Sequence, residues 1–107
     1  MIKEFILCAA IWINDKKKHE QQPNNIDIGF VICGRRHYNC YQVIKDLKGD
    51  IDISENNYRE HQGFITSLNR FVNRKEGWNI ANENKQIQFG VAGSENGDAI
   101  LISENLY

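Results

Sequence analysis

The sequence is poor in the features that usually announce a chemistry. It has a single proline, at Pro23, and three cysteines, Cys8, Cys33 and Cys40, with no CxxC among them. An odd, widely spaced set of thiols argues against a disulfide framework and a thiolate zinc site. Cys8 and Cys33 also lie inside apolar runs, where cysteine is expected to act as a small hydrophobe. No run of apolar residues is long enough to span a bilayer. The N-terminal one covers about ten residues, is broken by Glu4, and lacks a signal peptide's cleavage pattern, so a cytoplasmic protein with no membrane contact is expected. Charge of one sign is also missing: the net charge is -1, which leaves no broad basic surface for DNA or RNA. No glycine-rich dinucleotide fingerprint, phosphate-binding loop, zinc-protease motif or nucleophile elbow occurs.

What is present is an ordinary globular composition, 41% hydrophobic and 25% charged over 107 residues. That is enough for one domain, residues 1–107, with a modest core that oligomerisation would supplement. Apolar runs at 4–13 ("EFILCAAIWI"), 28–33 and 63–68 ("GFITSL") predict three strands, and residues 51–53 and 99–103 are candidates for two more. Tyr41, Val43, Ile44 and Leu47 recur at helical spacing before Gly49. Asn73 followed by Glu76 has the spacing of a helix-capping pair ahead of Trp78, Ile80 and Ala81. The order strand, strand, helix, strand, helix, strand predicts a small α+β domain with a mixed or antiparallel sheet and two main helices.

The stretch 29–41, "GFVICGRRHYNCY", and the stretch 62–76, "QGFITSLNRFVNRKE", hold the candidates for function. In each, a strand runs into arginines just before a helix starts: Arg35 and Arg36 in one, Asn69, Arg70 and Arg74 in the other. Helix starts present free N–H groups and the positive end of the dipole, and arginine forks match phosphate oxygens. Two readings stay open: an anion pocket, or arginines that are solvated or paired with carboxylates. His37 is a ligand contact or a structural histidine, since no nucleophile, metal cluster or acid–base partner is spaced to use it. Its H-x-x-C spacing to Cys40 is too weak to define a thiol–imidazole pair. His19, in the lysine-rich loop, reads as solvated. Phe71, between Arg70 and Arg74, has the setting of a base-stacking ring or of a helix-entry staple.

The blocks "CAAIWIND", "GFVICGRRHYNC", "QGFITSLNRFVNRKE" and "SENLY", in this order over nearly the whole chain, resemble the phage Thoeris anti-defence proteins of the first type. That resemblance implies a non-enzymatic sponge in the cytoplasm of an infected bacterium. It would sequester cyclic ADP-ribose isomers, such as glyco-cyclic ADP-ribose, made by TIR-domain proteins, and in some members cyclic trinucleotides of CBASS at a separate site. It also implies a homodimer or homohexamer, no cofactor, no metal and no catalytic residue. Mapped by motif, Arg35, Arg36 and His37 become phosphate or ribose contacts, and Gln62, Phe64, Asn69, Arg70, Phe71 and Arg74 complete the pocket. Two positions depart from the expected pattern: Tyr38, where a second histidine is anticipated, and Gly77, where a better helix former is. The rival readings are an enzyme on ADP-ribose-like or cyclic nucleotides with His37 as base, and a protein-interaction module.

Overall fold

The N-terminal apolar run becomes the first strand, β1 (Ile6–Ile13), and it lies inside the sheet, not at its edge. A computed structural model of the chain describes residues 3–47, 61–90, 93–95 and 97–106. β2 (Phe30–Gly34) and β3 (Gln62–Thr66) flank β1, and β4 (Phe71–Asn73) pairs with β3, all antiparallel, in the order β2-β1-β3-β4. Helix α1 (His37–Leu47) follows β2, and α2 (Arg74–Glu83) follows β4 without a break. A separate hairpin, β5 (Gly93–Glu95) and β6 (Asp98–Ile100), precedes a 3-10 turn at Ser103–Asn105. The chain is therefore an α+β domain with an antiparallel sheet. The candidate strand at 51–53 and the stop at Gly49 fall outside the described residues. The C-terminal apolar run pairs within its own hairpin and not with the main sheet.

One face of the sheet takes both helices. Ile11, Ile13 and Ile32 pack with Cys40 and Ile44 of α1, while Ala9, Phe64 and Val72 pack with Ala81 of α2 and with Leu101 and Leu106. Ile6 joins this second cluster although it is three residues from Ala9, because the β1–β3 register shifts between Ile6 and Cys8. Such a bulge moves the residues before it to the opposite face. Gly77, unfavourable in a helix by propensity, has a packing reason: a Cβ there would lie 3.1 Å from Cδ2 of Phe64. Asn73 caps α2 as its spacing predicts, its Oδ1 accepting from the Glu76 N–H at 2.8 Å.

On the other face the connection between β1 and β2 runs from one edge of the sheet to the other. The Gln22 amide oxygen accepts from the N–H of Val31 on β2, and Asn25 reaches Phe71 on β4. Pro23 in this segment is buried, as is Ala10 in β1. The Asn25 carboxamide donates to the Phe71 carbonyl (2.6 Å) and accepts from its N–H (2.8 Å), so a side chain stands where a fifth strand would pair. Gln86 does the same for Ile6, accepting from its N–H at 2.9 Å and donating to its carbonyl at 2.8 Å. Replacing Gln86 with alanine leaves both buried backbone groups of Ile6 without these bonds. A loss of about 1–2 kcal/mol is expected in urea unfolding, and Gln86→Glu, which sets a carboxylate oxygen against the Ile6 carbonyl, should cost at least as much.

His19 is tied down: its Nε2 lies 2.7 Å from Asp15 Oδ2, and its ring meets Phe30 edge-on at 5.1 Å. The reading of a solvated histidine is corrected by that pair. Cys33 is exposed, on the edge strand β2.

Candidate functional site

The turn after β2 is built by its own side chains. Asn39 Oδ1 accepts from the Arg36 N–H at 2.9 Å and the Asn39 N–H donates to the Arg36 carbonyl at 3.0 Å, which starts α1 at His37. His37 is therefore the first residue of a helix lying across the sheet. Its ring is buried, its Nε2 lies 2.9 Å from the Gly63 carbonyl, and it meets the Phe64 ring edge-on at 5.2 Å. A carbonyl only accepts, so Nε2 carries the hydrogen. Burial, and then the nearby positive charge of Arg74, push the imidazole down to about 4, so it is neutral at pH 7.

Arg74 is the first residue of α2. Its guanidinium donates to the Leu101 carbonyl (3.2 Å) and to the side-chain oxygen of Gln62, whose amide nitrogen donates to the Tyr41 hydroxyl. The Arg74 carbonyl in turn accepts from the Leu101 N–H at 2.9 Å. Arg36, with a side chain only 17% exposed, places Nη1 3.9 Å from Glu104 Oε1. Glu104 is also close enough to act electrostatically on His37. The first turns of both helices, two guanidiniums and one neutral imidazole thus converge, with Gln62, Tyr41 and Glu104 around them. Arg35 is exposed at the rim.

Asn69, Arg70 and Phe71 are elsewhere. They occupy the β3–β4 turn and the far end of β4, whereas Arg74 follows its near end. The Arg70 fork is bidentate on Glu4, through Nε and Nη2 at 2.8 Å each, and Nη2 also reaches Glu76 at 2.9 Å. Glu4 accepts from the Thr66 hydroxyl at 2.6 Å, and its carboxyl is held below the usual range by the Arg70 hydrogen bond first, against a smaller opposing effect of burial. A phosphate at Arg70 has two carboxylates to displace. Asn69 adopts φ +57° in the turn, its N–H donating to the Thr66 carbonyl. Phe71 is half-buried, and a Cβ at Gly63 would lie 2.9 Å from its ring, so the ring covers the glycine face of β3. Phe64 is fully buried in the core.

The nine candidate positions therefore divide. Arg36, His37, Gln62 and Arg74 come together with Arg35 at the rim. Asn69, Arg70 and Phe71 form a second group, and Phe64 lies beneath the first as its floor. Tyr41 and Glu104 are the members that sequence reading did not single out. Tyr41 carried a usable signal, one helical turn after His37, whereas Glu104 lies in the block "SENLY", whose residues were given no role. Cys40 is committed elsewhere, its thiol directed at the Ala9 and Arg36 carbonyls at 3.9 and 3.8 Å. Among the described residues, no group of three His, Cys, Asp or Glu could hold a metal ion, and no helix is long and apolar enough to cross a membrane.

No curated protein and no solved structure matches the chain. The sequence profile described as phage T4 y16D protein matches residues 5–107, which takes in every element described above. The chain therefore belongs to the phage T4 y16D protein family and is a phage protein.

Proposed function

We propose that this protein binds a cyclic ADP-ribose isomer at the Arg36–His37–Arg74 cluster and holds it without turnover, as a sponge against TIR-domain signalling in the infected cell. The observation that carries the reading is the convergence of Arg36 and Arg74 at the first turns of α1 and α2. A pyrophosphate is a doubly charged, oxygen-rich group, and arginine forks backed by helix N–H groups supply the charge-assisted bonds it needs. A neutral imidazole between two arginines adds no third charge to their repulsion when the site is empty. Gln62 and Tyr41 offer hydroxyl and amide partners for ribose, and the exposed Tyr38 ring beside His37 offers a flat face to adenine. Retention without cleavage is favoured by the state of His37, whose Nε2–H is committed to Gly63. A homo-oligomer of these sites and a second place for a cyclic trinucleotide belong to the same proposal.

The test is to incubate purified protein with a cyclic ADP-ribose isomer, remove the unbound fraction, denature by heat and analyse what is released. Near-stoichiometric intact ligand supports the sponge. Linear ADP-ribose would make the protein an enzyme. Retention of neither this ligand nor a cyclic trinucleotide overturns the reading and favours a protein partner for the arginines. Arg36→Ala is expected to weaken binding roughly tenfold, the loss of about 1.4 kcal/mol from one charge-assisted contact. Its melting temperature without ligand should stay within a few degrees of the parent's.

A further inference from the structure

Two of the three cysteines meet on the sheet face away from the helices. Cys33 pairs with Ala10 across β1 and β2, and Cys8 lies two residues before Ala10, so both thiols leave the same face of adjacent strands. Cys33 is exposed and Cys8 half-buried, whereas Cys40 is fully buried against the opposite face. The two side chains are diagonal neighbours on that face, close enough for Cys33 to act on the Cys8 thiol. All three cysteines are free.

We propose that Cys8 and Cys33 are a reactive dithiol that takes two electron equivalents from itself to a small disulfide such as oxidised glutathione, closing a disulfide between β1 and β2. Hydrogen bonds from Cys33 first, and also from Gly34, outweigh burial and hold the Cys8 thiol at about 7, which makes Cys8 the attacking thiolate. The Cys8 sulfur attacks one sulfur of the glutathione disulfide, a mixed disulfide forms, and one glutathione thiolate leaves and takes up a proton. Cys33 starts as the poorer nucleophile, its thiol pushed up chiefly because it donates to Cys8. Once Cys8 is capped that donation ends, and Cys33, losing its proton to water, attacks the Cys8 sulfur and expels the second glutathione. Two thiols are oxidised, one disulfide is reduced, and two molecules of reduced glutathione leave. The bond clips the edge strand that leads into Arg36 and His37 onto the central strand.

The experiment treats the full chain with oxidised glutathione at mildly alkaline pH, alkylates remaining thiols after unfolding, and maps peptides without reduction. The expected product carries a Cys8–Cys33 cross-link and alkylation at Cys40 alone, with a melting temperature that rises on oxidation and falls back with dithiothreitol. Cys33→Ser should stop at a stable glutathione adduct on Cys8. Cys8 should also alkylate roughly tenfold faster than Cys33 at neutral pH. Three alkylated thiols, glutathione left on Cys33 of the parent chain, or a Cys33–Cys33 link between chains would each overturn the proposal. Should Cys33→Ser fold poorly, Cys8→Ala serves instead, and there the loss of all reaction with glutathione disulfide at Cys33 is the expected result.

Discussion

Phe64→Ala is expected to cost about 3–5 kcal/mol of folding stability, the usual range for removing a buried aromatic ring. Phe64 has no exposed surface, sits between Ala9 and Val72 across neighbouring strands, and carries the edge contact of His37 above it. Gly77 of α2 approaches the same ring so closely that the helix cannot carry a side chain there without displacement. Truncation thus opens a cavity where β3, α1 and α2 meet, and the two helices cannot both follow the collapse. Domains of this size are stable by about 5–15 kcal/mol, so a large part of the reserve is lost. Urea unfolding gives the number through the midpoint. The outcome also settles the role of the ring. A variant that keeps its stability and loses the ligand retention proposed above would place Phe64 in the pocket as a stacking surface, against its burial.

Acid should weaken the protein through His37 before it reaches the carboxylates. The folded imidazole titrates at about 4 against an ordinary 6.5, so the unfolded chain binds the proton more readily. Stability from this group is complete above 6.5 and falls as the pH drops, until the folded site protonates as well near 4. Integrating between those limits gives a loss of about 2 kcal/mol by pH 5 and about 3 kcal/mol by pH 4. Glu4 and Asp15, both held below their ordinary values, contribute stability that is lost only at lower pH, through and below the normal carboxylate range. Urea midpoints measured from pH 7 to 5 therefore report on histidine. His37→Gln, which retains a donor for the Gly63 carbonyl and does not titrate, should remove most of the slope. A slope unchanged in that variant would assign the effect to another group.

The fold was largely legible because its main elements are local. β1, β2 and β3 follow apolar runs, and α2 begins where the Asn73–Glu76 spacing predicts. β4 was not legible: Phe71, Val72 and Asn73 are too few for a period of two to register, and arginines on both sides disguise them. That short strand also explains why the candidate site divides. Arg70 and Arg74 are four apart in sequence, which on a helix places them about 6 Å apart along the axis, but an intervening extended segment separates them by about 13 Å. The motif reading grouped them, and the backbone sends them to opposite ends of β4. Cys33 escaped for a related reason. An apolar run looks the same whether its strand is central or at an edge, and only the pairing order leaves β2 with one side open. Glu104 needed the whole chain to return from the β5–β6 hairpin before it could face Arg36.

The position of β1 has a consequence for synthesis. Of the four strands in this sheet, the one synthesised first is the one that must be gripped on both sides, by β2 soon after and by β3 only when residues 62–66 appear. At bacterial elongation rates the wait for those roughly 50 further residues lasts several seconds, during which one side of an apolar strand has no neighbour. Its temporary companions in that interval are whatever the cell supplies, so the yield of this protein should depend on chaperones more than its size alone would suggest.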